Sequence, residues 1–143
     1  MPPTARSVGP ADWVRSMPVD VYRGCMIEFG SKARKLPAPP PIVWESLATP
    51  HMPGARPWLH LLPDEIEPTI LASEKPVSVL WSSLWPSRPN DQVHLSLTAA
   101  GNETRVRFIL RTPDDPPDAS KTGHLRRRVN HLLFSDLRYS YGQ

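Results

Sequence analysis

Apolar and polar residues alternate with the two-residue period of a half-buried strand in several stretches of the chain. In Val19–Phe29 the apolar positions Val19, Val21, Cys25, Ile27 and Phe29 alternate with Asp20, Tyr22, Met26 and Glu28. Four further strands are predicted in close succession at Glu65–Ser73, Val77–Trp85, Asp91–Ala99 and Thr104–Arg111. The last two have the clearest faces. Val93, Leu95, Leu97 and Ala99 form a dry side against His94, Ser96 and Thr98, which should point outward, and Val106, Phe108 and Leu110 oppose Arg105, Arg107 and Arg111. In Val77–Trp85 both sets are apolar, with Val77, Val79, Trp81 and Trp85 on one side and Leu80 and Leu84 on the other. Such a strand is covered on both faces. The connections Glu74–Pro76, Pro86–Asn90 and Ala100–Glu103 are of hairpin length, so neighbouring strands run antiparallel as a meander.

A longer period follows. Leu125, Val129, Leu132, Leu133 and Leu137 recur at three and four, which predicts one helix over His124–Tyr141 with a single apolar stripe. Asp118, Ser120 or Thr122 is positioned to cap its start, and Gly142 stands where a left-handed C-terminal cap belongs. Arg126, Arg127, Asn130 and Asp136 fall on its solvated side, and the flank carrying His124, Arg128 and His131 reads as solvated too.

The chain contains 19 prolines, concentrated at Pro37–Pro41 and Pro113–Pro117, where a fixed φ and a missing donor exclude helix interiors and central strands. These are joints. Just after the first, Ile42, Val43, Trp44 and Leu47 have helical spacing, with prolines to open a short helix and Pro50 to close it. Pro53, Pro57 and Pro63 then leave Trp58, Leu59, Leu61 and Leu62 room for one brief second helical turn. Met1–Pro18 has no period and reads as a flexible N-terminal arm on which only Trp13 has a reason to dock, leaving residues 19–143 as one domain.

Composition narrows the class. At 143 residues, 39% hydrophobic and 22% charged, the chain can bury one core and should fold. No apolar run approaches membrane-spanning length, and Met1–Pro18 lacks the continuous apolar core of a secretory signal, so a cytoplasmic location is expected. The single cysteine, Cys25, is read as a small buried hydrophobe, and the triplet Asn102, Glu103, Thr104 as a turn. Net charge is +3, but the basic residues are scattered from Arg6 to Arg138. Only Arg126, Arg127 and Arg128 cluster, and on a helix they point in three directions, so no nucleic-acid partner is expected.

Strand, two short helical segments, antiparallel meander and long C-terminal helix make an α+β order in which the sheet buries its dry face on the helix. This order over Met17–Gln143, the stretch PPPIVWESLAT at Pro39–Thr49 and the closing HLRRRVNHLLFSDLRYSYGQ resemble the SRPBCC superfamily, also called START-like or Bet v 1-like. The signature sits at Pro40, Val43, Trp44, Glu45 and Leu47. The resemblance implies a helix-grip fold, a curved antiparallel sheet wrapped around the long helix, with a cavity between them. It extends to the polyketide cyclase/dehydrase, lipid-transport and Hsp90-activator-like groups. The chain departs from that pattern in its proline-dense middle and in having about five strands where the family commonly has six or seven.

Candidate chemistry is sparse. There is no glycine-rich phosphate loop, nucleophile elbow or HExxH, and none of the histidines at 51, 60, 94, 124 and 131 pairs with another ligand at zinc spacing. No metal, cofactor or catalytic residue is assigned. The ligand-lining candidates on the dry faces are Trp44, Trp58, Trp81, Ser83, Trp85, Leu95, Phe108, Val129 and Leu133, with Ser82 and Ser96 as further polar groups and Arg88 placed to pair with an acidic ligand head. Large aromatics either fill a core or line a pocket. Three functions follow: binding or transport of a small hydrophobic ligand such as a lipid or polyketide-like ring, a cyclase/aromatase-like enzyme, or a protein-interaction module with a filled core. The chain is expected to be a monomer or homodimer.

Overall fold

The computed structural model describes residues 26–142. The N-terminal arm with Trp13, and residues 19–25 of the expected first strand including Cys25, lie outside the described residues. Strand β1 is Ile27–Leu36, helix α1 Pro40–Ala48, and strands β2 to β5 are Ile70–Glu74, Ser78–Ser82, Gln92–Ala100 and Glu103–Thr112. Helix α2, Ala119–His131, continues through a π-helical segment, Leu132–Leu137, into a last turn, Arg138–Ser140. The sheet order is β1-β5-β4-β3-β2, and every pairing is antiparallel. This is the expected α+β helix-grip arrangement.

Local chemistry sets the element ends. Pro40 and Pro41 lie in the first turn of α1, where a missing N–H is harmless and a fixed φ is preorganised. Of the three candidate caps for α2, Asp118 does the capping, its carboxylate accepting from the Lys121 amide at 2.8 Å. Gly142 has φ +90 and its amide donates to the Tyr139 carbonyl, closing the helix. Gly101 turns the β4–β5 hairpin at φ +65, a conformation glycine adopts without steric cost.

The register puts Val79, Trp81, Val93, Leu95, Leu97, Val106, Phe108 and Leu110 on the inner face. They pack with Leu125, Val129, Leu132, Leu133 and Leu137 of the C-terminal helix and Val43 and Leu47 of α1 in one core. The π-helical segment widens the turn, so Leu132, Leu133 and Phe134 are all buried in succession, and Phe134 reaches Phe108 at a ring separation of 6.2 Å. β3 is covered on both faces, with Val79, Leu80 and Trp81 fully buried; Leu80 belongs to a small separate cluster with Ala72 and Leu71.

Several expectations are corrected. The first strand runs further along the chain than Val19–Phe29, through Lys32, Arg34 and Lys35, because an edge strand tolerates charged side chains that a central one excludes. The second helical turn around Trp58–Leu62 is absent: the backbone there makes separate turns, such as His60 to Trp58 and Glu65 to Leu62, before Ile66 and Thr69 bond to Leu84 and Ser82. One short helix, not two, follows β1 among the described residues. The next strand starts at Ile70 instead of Glu65, since the Glu65 carboxylate is drawn toward α2 and Pro68 offers no donor. His94 and Arg111 lie on the outer face as their parity requires, yet are only 8% and 1% exposed, whereas Ala99 and Val77 are exposed.

A packed core of this kind makes the two helix features separable. Leu133→Ala should destabilise by about 3 kcal/mol through cavity formation, and Asp118→Ala by about 1 kcal/mol through loss of the cap. Urea denaturation followed by circular dichroism measures both.

Candidate functional site

The sequence-predicted lining residues separate into two groups. Trp58, Trp81, Trp85, Leu95, Phe108, Val129 and Leu133 are brought together in the core, none more than 3% exposed. Trp44 stands at the core margin, half-buried. Ser83 is used locally: its hydroxyl accepts from the Trp85 amide and donates to the Trp85 carbonyl. The Ser82 hydroxyl accepts from the Thr69 amide, and Ser96 faces away from the core, opposite Arg107. Arg88 is engaged by Asp91, the Asp115 carbonyl and Thr112, so it locks the β3–β4 loop to the end of β5 and is not held ready for a ligand head.

The indoles explain how α1 and the following segment are held. Trp81 Nε1 donates to the Leu47 carbonyl at 3.0 Å, meeting an orphan acceptor of the last helical turn, and Trp44 Nε1 donates to the Ser78 carbonyl at 3.0 Å. These two bonds pin α1 to β3 from both sides. Trp58 stacks on Trp81 at 6.1 Å and 23°, and among the described residues its own buried N–H has no acceptor.

Arg128 is not on a solvated flank. Its Nε and Nη2 grip the two oxygens of Glu65 at 2.8 Å each, and Nη2 also donates to the His60 carbonyl. The Glu65 carboxylate additionally accepts from the Leu62 amide at 2.9 Å and Trp85 Nε1 at 3.3 Å. The Glu65 side chain is fully buried and that of Arg128 is 12% exposed. Burial pushes the Glu65 carboxyl up, but the hydrogen bonds from Arg128, Leu62 and Trp85 and the guanidinium charge outweigh it and hold the group below the ordinary carboxylate range. The Arg128 guanidinium is held above its ordinary value by its hydrogen bonds to Glu65. His131 forms a separate pair with Asp136 at 3.3 Å.

This clasp fixes the segment between α1 and β2, and with it a groove of about 270 Å³ between α1, residues 49–58 and the end of the C-terminal helix. Trp58, Met52 and Ile42 give it an apolar lining. On one wall the Tyr141 hydroxyl donates to Ser46 Oγ at 2.8 Å, and Ser46 in turn donates to the Ile42 carbonyl. Burial pushes the Tyr141 hydroxyl up to about 12, so it stays protonated as a donor at neutral pH. At the rim Arg56 donates to the Tyr139 carbonyl and lies 5.7 Å over the Tyr139 ring. Glu45 of the sequence signature also lines the groove. Of the predicted residues only Trp58 borders this space. Ser46, Met52, Arg56 and Tyr141 carry no mutual spacing in the sequence that would have found them. Among the described residues no three His, Cys, Asp or Glu side chains converge on a metal position, and no helix is long and apolar enough to cross a membrane.

No family model and no curated protein sequence matches the chain. Solved structures do. A Mesorhizobium loti protein, MLL2253, superimposes with a TM-score of 0.56 at 17% identity, over 82% of this chain and 96% of its own. CalU16 from Micromonospora echinospora gives 0.54 at 18% identity, over 72% and 68% of the two chains. The Aha1 dimer from Colwellia psychrerythraea gives 0.54 at 13% identity, over 73% and 90%. At these identities the likeness establishes the fold alone, a helix-grip α+β fold.

The clasp makes a signed prediction. A carboxyl depressed on folding adds stability that is present above its unfolded value, roughly pH 4.3, and is lost as pH falls through the lower folded value. Arg128→Met leaves the buried carboxylate without its cation. It should cost about 3 kcal/mol at pH 7 and should turn the acid-side slope around, so that stability rises as pH falls toward 5. Urea midpoints across pH check both.

Proposed function

We propose that the chain binds a small hydrophobic ligand, and that the ligand lies in the groove floored by Trp58 instead of deep between sheet and helix. The observation that carries this reading is the contrast between the two spaces. Trp81, Trp85, Phe108, Leu95, Val129 and Leu133 are packed against one another, while the groove beside them is apolar, partly enclosed and open to entry. A ligand of lipid or polyketide-like type would set its apolar body on Trp58 and Met52 and its polar end toward the Ser46–Tyr141 hydroxyl pair. The likeness to CalU16 and the other SRPBCC-type folds supports a binding role without naming a ligand. Burial holds Tyr141 neutral, so it serves as a hydrogen-bonding group on the groove wall. The packed sheet–helix space favours a second reading, an interaction module that binds a partner chain and no small molecule.

Trp fluorescence during titration with decanoate and with 2-naphthol decides between them. The expected result is saturable quenching at equimolar stoichiometry, weakened at least about tenfold by Ile42→Trp, a bulky replacement of a 46% exposed residue on the groove wall that leaves the core intact. Absence of any saturable response in the unmodified chain sinks the groove reading and leaves the interaction module. Binding that is unchanged by Ile42→Trp but abolished by overpacking the core with Leu95→Phe moves the ligand to the space between sheet and helix.

A further inference from the structure

Given a ligand in the groove floored by Trp58, the reading on which this rests, we propose that the groove selects that ligand by hydrogen-bond polarity. Its polar end is built of acceptors, so it takes an apolar molecule ending in a hydrogen-bond donor, a hydroxyl or amino group, over one ending in a carbonyl or carboxylate.

The polarity is set by backbone carbonyls, which can only accept. The Ser46 hydroxyl lies 3.3 Å from the Ile42 carbonyl oxygen, so its one proton is spent there. Ser46 Oγ therefore meets Tyr141 as an acceptor, and the Tyr141 proton is spent on Ser46 at 2.8 Å. What the pair offers the groove is lone pairs. Tyr141 is held neutral by burial, so this order of donors does not reverse by ionisation. A third hydroxyl of the lining, Ser140, has the same polarity, its Oγ donating to the Leu137 carbonyl. Glu45, next to Ser46 on α1, adds a carboxylate with two further acceptor oxygens. α1 and the C-terminal turn thus present acceptors from two walls of one space.

The donors of the lining are turned elsewhere. Arg56 Nη1 bonds the Tyr139 carbonyl at 3.1 Å, and the guanidinium lies over the Tyr139 ring at the exposed rim, where water screens its charge. Thr49, whose hydroxyl can turn either way, is exposed. A ketone or carboxylate set on Trp58 would bring its lone pairs against those of Ser46, Tyr141 and Ser140 and leave its own oxygen desolvated and unpaired. A hydroxyl or amino group completes the relay instead. A site that hydrogen-bonds a ligand O–H discriminates strongly against the analogue lacking it, because its polar groups are then left unpaired.

Isothermal titration calorimetry of the full chain with 2-naphthol, 2-acetylnaphthalene and 2-naphthoate tests this, since the three share one ring system and differ in the polar end. The expected result is that 2-naphthol binds at least about tenfold more tightly than either of the others. Ser46→Ala keeps α1 helical and releases the Tyr141 proton to the groove, so it should lower the preference for 2-naphthol over 2-acetylnaphthalene to less than about threefold. Loss of packing alone would weaken all three ligands together and leave that ratio unchanged. Equal binding of the three by the unmodified chain, or an unchanged ratio in Ser46→Ala, overturns the selectivity while the groove reading stands. Tighter binding of 2-naphthoate than of 2-naphthol overturns it in favour of Arg56 as an anion anchor. If none of the three binds, the groove reading itself fails and the selectivity falls with it.

Discussion

The Glu65 carboxylate, buried with both oxygens matched, is the constraint on which the non-repetitive part of this molecule depends. Residues 49–69 contain Pro50, Pro53, Pro57, Pro63 and Pro68 and cannot secure themselves by a helical or strand ladder, since each proline removes a donor. Two backbone bonds, from Ile66 N–H to the Leu84 carbonyl and from Ser82 N–H to the Thr69 carbonyl, hold its far end, and side chains do the rest of the anchoring. Glu65 ties the segment to Arg128 of α2 and to Trp85 beyond β3, and Trp58 docks on Trp81. A carboxylate with no exposed side-chain surface is tolerable only with such partners. The groove exists because this segment is held away from α1 and the C-terminal turn at a defined distance.

The tryptophans join apolar area to a single directed donor, and the fold uses both properties. Trp81 fills the inner face of the sheet while its N–H meets the carbonyl end of α1, and Trp44 returns a bond from α1 to β3. α1 is short, and its position rests on these bonds and on Val43 and Leu47 more than on its own helical stability. Packing the aromatics so completely leaves little room between sheet and long helix. An accessible, largely apolar groove lies on the far side of Trp58.

Much of this was legible in the sequence. The meander, the long helix and the α+β order follow from alternation, hairpin-length connections and the three-four spacing of Leu125, Val129, Leu132, Leu133 and Leu137, because these periods are properties of the backbone itself. The inward set of β4 and β5 from Val93 to Leu97 and from Val106 to Leu110 was read correctly for the same reason. β1 runs past its expected end at Phe29 because an apolar count undervalues an edge strand, where Lys32, Arg34 and Lys35 cost little.

Sequence alone therefore determined the fold class, the order of the strands and of the two main helices, and which side chains are available for the core, all consequences of local periodicity and turn chemistry. Only the tertiary structure decided where the charged groups go. Arg128 and Glu65 are 63 residues apart and Ser46 and Tyr141 are 95 apart, and no spacing rule links them. His94 and Arg111 kept the outward parity that alternation assigns, but their burial could not be read from it. Arginines and lysines that look dispersed along the chain are gathered at one sheet edge by the pairing of β1 with β5 and the return of the C-terminal helix. Long-range electrostatic matching depends on distance in space, and only folding supplies that distance.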